Sequence, residues 1–411
     1  MGADWIRRHG TDILRIHAED AAFLLTQRDL ALETPNHRLI DIYDLEQRLQ
    51  GHLDALVLAH EAGCETAGTL AQDDPSGPAA AVLLHVALRQ QRPAGVEAAL
   101  AAATDWRPMG HAAAWCGADL LGTVMPRWIA SREPVLRWIA FDICGRHRVD
   151  PRRHLQPGLE DRDPQVRARA IRLAGEVGRA DCRDFVAAEA GTEADIAAVL
   201  LGDGARAARL AEAATFPTAP GPARRAAELF PLALQPPAAQ EATRALLGRP
   251  ATRRWGIVAL GALGSAQVLR WLADAMEDPL DARVAVSAFE TITGVHVAHD
   301  GLERAIFPYD PENAAIDGDP GETLIEAATP WPDVERVRDW LSAHAARLPT
   351  GERLLFGLAA WTFTGPPEPW LRFQSRHRAV ALTQAMRRPQ APLPNWRSPV
   401  RLAGGSFTRT W

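Results

Sequence analysis

His296 and His299 stand three residues apart in a His-Val-Ala-His run, a spacing that on a helix sets two imidazoles side by side for a metal. They follow the helix-ending Gly294, and no third ligand stands at a recognisable spacing, so no metal is expected. Cys144 and His147 repeat the spacing, but a lone cysteine beside a helix end is more simply a small packing side chain. Asp317-Gly318-Asp319 hints at a calcium loop; Pro320 interrupts it, and the glutamate that closes such a loop is missing. The chain contains no lysine, which removes lysine nucleophiles, Schiff bases and phosphate-loop lysines. Nucleophile-elbow, zincin and Walker patterns do not occur either. The residues therefore nominate no catalytic group, no cofactor and no metal, and a chain without enzymatic chemistry is expected.

Binding leaves more to consider. Arg146, His147, Arg148, Arg152, Arg153 and His154 form the densest basic cluster, with Arg146, Arg148, Arg152 and Arg153 the candidates for phosphate contacts. Asp150, Glu160, Asp161 and Asp163 interleave with these arginines and offer them partners, and a net charge of -6 argues against a general nucleic-acid binder. Between Asp300 and Asp333 the balance reverses. Asp310, Glu312, Asp317, Asp319 and Glu322 stand there as candidate positions for binding another protein, in a proline- and glycine-rich stretch too long for an ordinary connection. Of the thirteen tryptophans, those at 106, 115, 128, 138, 255 and 271 are expected in the core, whereas Trp331, Trp340, Trp361, Trp370, Trp396 and Trp411 cluster late, where an aromatic anchor for a partner is conceivable.

The elements that position these residues are read from Glu160 to Gly178. Asp163 suits a helix cap and Pro164 the first helical position; Val166, Ala170, Ile171 and Ala174 share a stripe, and Gly178 supplies a stop. Prolines opening similar segments recur at 78, 108, 134, 164, 222, 250 and 279, and Gly191 to Asp195 marks a copy without proline. Gly145, Gly264 and Gly294 punctuate at comparable phases, and Arg137, Arg167 and Arg283 recur at one phase, where pairing with neighbouring carboxylates is expected. The Asp-Pro-x-Val-Arg turn followed by small apolar residues resembles the short variety of HEAT repeat. Such pairs of helices bury their stripes by stacking, so an all-α solenoid of about eight helix pairs with helical caps is expected.

Its parts are an N-terminal helical cap over 1–72, repeats over 73–295, an acidic insertion over 296–333 and a C-terminal helical region with an irregular tail over 334–411. Helices are expected over Asp12 to Leu32 and Asp41 to Ala62, and again over Asp333 to Leu348, Glu352 to Trp361 and Ser375 to Arg388.

The ends carry a closer resemblance. Glu19 to Leu24, Arg28, and Leu45 to Leu56, with Leu354 to Gly357 and Arg376 to Leu382 near the other end, resemble an uncharacterised proteobacterial HEAT-repeat family found among type VI secretion genes. The resemblance implies an adaptor or chaperone for a secreted effector or secretion component, with an immunity protein and phosphate-backbone binding as alternatives. No apolar segment of signal-peptide or membrane-spanning length appears, and the four cysteines form no CxxC pair; a cytoplasmic protein with buried thiols is expected.

Overall fold

A computed structural model describes residues 2–35, 37–216, 220–304, 325–360, 373–403 and 406–408. The fold is all-α and solenoid-like. Helices α1 (Gly2–Glu33), α2 (Leu39–Leu58) and α3 (His60–Asp73) come first. The second was expected to run on to Ala62; instead His60, with φ 50°, breaks the chain after Leu58 and a third helix follows.

From Pro78 onward the helices come in pairs. The first members are α4 (Pro78–Arg89), α6 (Arg107–Ala114), α8 (Pro134–His147), α10 (Pro164–Glu176), α12 (Thr192–Leu200), α14 (Pro220–Ala233), α16 (Pro250–Leu263) and α18 (Ala282–Thr293). Between them lie α5 (Pro93–Ala102), α7 (Ala118–Ile129), α9 (Leu155–Leu159), α11 (Arg183–Ala188), α13 (Arg206–Thr215), α15 (Pro236–Leu247) and α17 (Leu269–Ala275). Pro78, Pro108, Pro134, Pro164 and Pro250 occupy the first or second helical position, where a missing N–H costs nothing. Gly191 precedes α12 as the proline-free copy. Pro279 departs from the pattern. It lies in a turn closed by the Asp281 and Ala282 amides on the Asp278 carbonyl, so α18 begins only at Ala282.

Among the cap residues, Asp163 accepts from the amides of Gln165 at 2.9 Å and Val166 at 3.1 Å, while Glu133, before Pro134, makes no side-chain cap. Gly264 and Gly294 end α16 and α18 in the left-handed region. Gly145 is different: it sits inside the last turn of α8, where a Cβ would lie 1.8 Å from Arg169 Nη2. It makes room for a guanidinium and stops nothing.

The chain divides into two compact units, one of Met1–Ala31, Ile40–Val177 and Arg397–Trp411, the other of Leu32–Leu39 and Gly178–Trp396. In the first, α4, α6, α8 and α10 stack in chain order, and α4 is buried from Ala79 through Leu88. In the second, α12, α14, α16 and α18 stack likewise around Phe230, Trp255, Phe289 and Ile292. The helix Val334–His344 packs against α17. Over Glu352 to Trp361, where a helix was expected, a hairpin pairs β1 (Leu354–Leu355) with β2 (Leu358–Ala359). Phe356 and Gly357 at its tip both take positive φ, and their amides donate to the carbonyls of Thr291 and Ile292 at the end of α18. Gln374–Arg387 is helical as expected, and Arg401–Ala403 pairs with Ser406–Thr408 in what was expected to be an irregular tail.

Asp163→Ala should lower unfolding free energy by about 1 kcal/mol in urea titration, because two amides lose their acceptor. Glu133→Ala, with no cap to lose, should cost less than half as much.

Candidate functional site

The basic cluster does not form one exposed surface. Arg152 and Arg153 are exposed on a short 3-10 turn, but Arg146 and Arg148 turn inward to carboxylates. Arg146 Nε donates to Asp142 Oδ2 at 2.6 Å, and Arg169 Nε donates to Asp142 Oδ1 at 2.8 Å. Arg169 continues to Glu176 Oε2 at 3.1 Å, Arg172 reaches Glu176 Oε1 at 3.1 Å, and Arg148 lies 3.4 Å from the same carboxylate. Burial works against ionising Glu176, but Arg169, Arg148 and Arg172 outweigh it and hold the carboxyl well below its usual range. Burial also lowers Arg148, to about 10, despite Glu176. These arginines knit α8 to α10.

A second buried cluster in the same unit surrounds Arg28. Its Nε donates to Glu46 Oε1 at 2.8 Å and its Nη2 to the Arg397 carbonyl at 2.9 Å, while Nη1 lies 3.0 Å from His111 Nε2. His111 Nδ1 in turn lies 3.0 Å from Asp29 Oδ2. A histidine beside an aspartate is the pattern of a general base, yet here Nε2 meets a guanidinium, which can only donate. The neutral ring therefore carries its proton on Nδ1 and has no lone pair left for a substrate. Burial pulls its pKa down to about 4 despite Asp29. Cys144 is buried with its thiol pushed up to about 11, and His147 Nε2 lies 3.0 Å from the Ala114 carbonyl, so these two are packing groups.

The second unit contains a cavity of about 150 Å³ lined from α14, α16 and α18, the β1–β2 hairpin, residues 32–35 and the helix Gln374–Arg387. Its lining is unusually charged. Arg378 bridges Glu33 and Glu228, and Glu326 pairs with Arg254. Arg376 lies over the rings of Phe356 at 5.3 Å and Phe373 at 5.0 Å and donates to the Gly294 carbonyl. Arg353 donates through Nε to the Ala262 carbonyl at 2.8 Å, and burial lowers it to about 9. Glu290 accepts from the Val297 amide at 2.7 Å; burial pushes its carboxyl from 4.5 up to about 7, with Arg376 opposing. His296 stacks on Phe373 at 4.0 Å and accepts the His299 amide at Nδ1, and burial holds it neutral with a pKa of about 4. Its spacing from His299 thus serves a turn and a ring stack.

Arg283 stands apart from this pairing. Of the three repeat arginines, Arg137 meets Asp161 with two hydrogen bonds of 2.6 and 2.8 Å, and Arg167 donates to the Asp161 carbonyl. Arg283 meets no carboxylate among the described residues, which corrects the expectation for that position. Asp281, two residues before it, is taken by Arg253; the guanidinium instead lies over Trp331 at 4.3 Å, with a buried Nε that has no hydrogen-bond partner. Burial alone lowers its pKa.

Asp310, Glu312, Asp317, Asp319 and Glu322 lie outside the described residues. Among the late tryptophans, Trp396 is buried in the core and Trp340 packs against Phe289 and His344. The cavity was invisible in the sequence because its walls come from segments more than three hundred residues apart, and Arg283 read there as one more repeat arginine. No known family, curated protein or solved structure matches the chain.

Glu290 makes the second unit sensitive to pH. Below about 4.5 the carboxyl is protonated folded and unfolded alike, so burial carries no charge penalty; between about 4.5 and 7 the unfolded chain releases that proton while the folded state keeps it, so stability falls across this window and levels off above about 7. Glu290→Gln keeps an oxygen for the Val297 amide and removes the charge. Thermal unfolding should show no difference from the parent at pH 4 and an advantage of the variant that grows to about 3 kcal/mol near pH 8.

Proposed function

We propose that the chain is a non-enzymatic scaffold that holds another protein. The observation that carries this reading is the recurrence of one helix-pair unit whose first helices stack in order within each unit, since stacked repeats present continuous side-chain surfaces without folding around a single reaction centre. The perturbed histidine His111 and the carboxylates Asp142 and Glu176 support it, because each is already engaged by arginines: His111 and Asp142 by arginines of other helices, Glu176 by Arg169 and Arg172 of its own helix. Following the resemblance of the two ends to the HEAT-repeat family of type VI secretion clusters, the partner is a secreted effector or a secretion component, and the role is that of an adaptor or chaperone in the cytoplasm. The phosphate-backbone alternative loses support where Arg146 and Arg148 face carboxylates, leaving Arg152 and Arg153 exposed.

The test is cross-linking of the tagged chain in a secretion-competent native host, followed by nuclease treatment and mass spectrometry. One protein encoded beside the chain should be recovered in comparable amount, and purified copies of the two should co-elute. Recovery of nucleic acid, lost when Arg152 and Arg153 are changed to alanine, would replace the scaffold reading with the phosphate one; recovery of neither would end both.

A further inference from the structure

We infer that the cavity of the second unit binds a small molecule with one oxyanion head, a carboxylate or a phosphate, on a compact apolar body. Arg283 supplies the recognition. It lines the cavity, has no carboxylate among the described residues, and keeps a buried Nε without a hydrogen-bond partner. The guanidinium is half-buried with one buried N–H unpaired, and its planar fork matches the two oxygens of a carboxylate or phosphate. The ring of Trp331 against its face fixes the plane in which that fork can be offered.

The acidic groups of the cavity do not substitute for the ligand. Glu33 and Glu228 are both held by Arg378, and Glu326 by Arg254. Glu290 is anchored through Oε1 to the Val297 amide. Arg353 and Arg376 line the same cavity as Arg283 and add positive charge to it. The body of the ligand follows from the other walls. Val258, Val284, Leu355, Phe356 and Leu382 are apolar, and about 150 Å³ is the space that holds one benzene-sized molecule.

Thermal shift and isothermal titration of the full chain at fixed pH and ionic strength, with benzoate, phenyl phosphate and the neutral benzamide as probes, test this directly. Benzoate or phenyl phosphate should raise the melting temperature saturably, and benzamide should bind at least about tenfold more weakly, because a charged hydrogen bond to the guanidinium is missing. The tighter of the two anions identifies the head. Arg283→Met should weaken the anion by about tenfold or more and bring it level with benzamide. Should that variant fail to fold, Ser287→Leu keeps the guanidinium and narrows the space, and should weaken all three probes. Equal binding of benzoate, phenyl phosphate and benzamide, no binding of any, or unchanged anion binding in a folded Arg283→Met or Ser287→Leu protein overturns the inference.

Discussion

A guanidinium removed from water has to bring a carboxylate with it, and in the first unit that requirement decides which helices can be neighbours. Asp142 on α8 takes hydrogen bonds from Arg146 on its own helix and from Arg169 on α10, and Arg169 also reaches Glu176. Coulomb attraction at low dielectric offsets the desolvation of these groups only while every partner is in place. Slipping α10 by one residue against α8 would pull Arg169 away from Asp142. Gly145 belongs to the same constraint, since the guanidinium occupies the space that any Cβ there would fill. Lysine could not replace these arginines, having one nitrogen where Arg169 serves two carboxylates.

In the second unit several arginines follow the same rule. Arg253 keeps Asp281, Arg206 keeps Asp195 and Arg378 keeps two glutamates. Arg283 on α18 has no carboxylate among the described residues, and the stack opens beside it into a cavity. Repeats supply their own pairing by having a next copy. Where the next copy gives way to a hairpin docked on the Thr291 and Ile292 carbonyls, the unit's charge pattern is left open.

Most of the fold was legible because it is local. Proline at the start of a helix, an aspartate cap and a left-handed glycine stop act over a few residues, and they placed α4, α6, α8, α10, α12 and α16 closely. Gly145 was misjudged because a glycine that ends a helix and one that admits a neighbouring side chain look alike in sequence. The hairpin at Leu354 was misjudged because the apolar run Leu354-Leu355-Phe356 fits a buried helix as well as a strand, and the deciding bonds come from α18. The cavity was out of reach for the same reason, since its walls meet only in space. Arg146 and Arg148 looked like an exposed basic patch because sequence shows that carboxylates are near, not which arginines turn towards them.

The closing segment of the first unit is held by charge. Arg28 and Glu46 are each 2% exposed, and both have groups left after pairing with each other: Arg28 meets His111 through Nη1 and donates to the Arg397 carbonyl through Nη2, and Glu46 Oε2 accepts from the Val400 amide at 2.8 Å. A buried pair that relies on these two backbone groups has no water to fall back on, so the segment from Arg397 to Val400 cannot leave without exposing an ion pair. Chain ends usually fray because little holds them. Here residues 397–400 complete a buried cluster built by α1, α2 and α6, so Arg28 and Glu46 close their charges only when residues more than 350 positions away have arrived. Long-range closure of that kind lies beyond the reach of a helix-pair repeat, and it gives the first unit a specificity of assembly that stacking of apolar stripes alone would not supply.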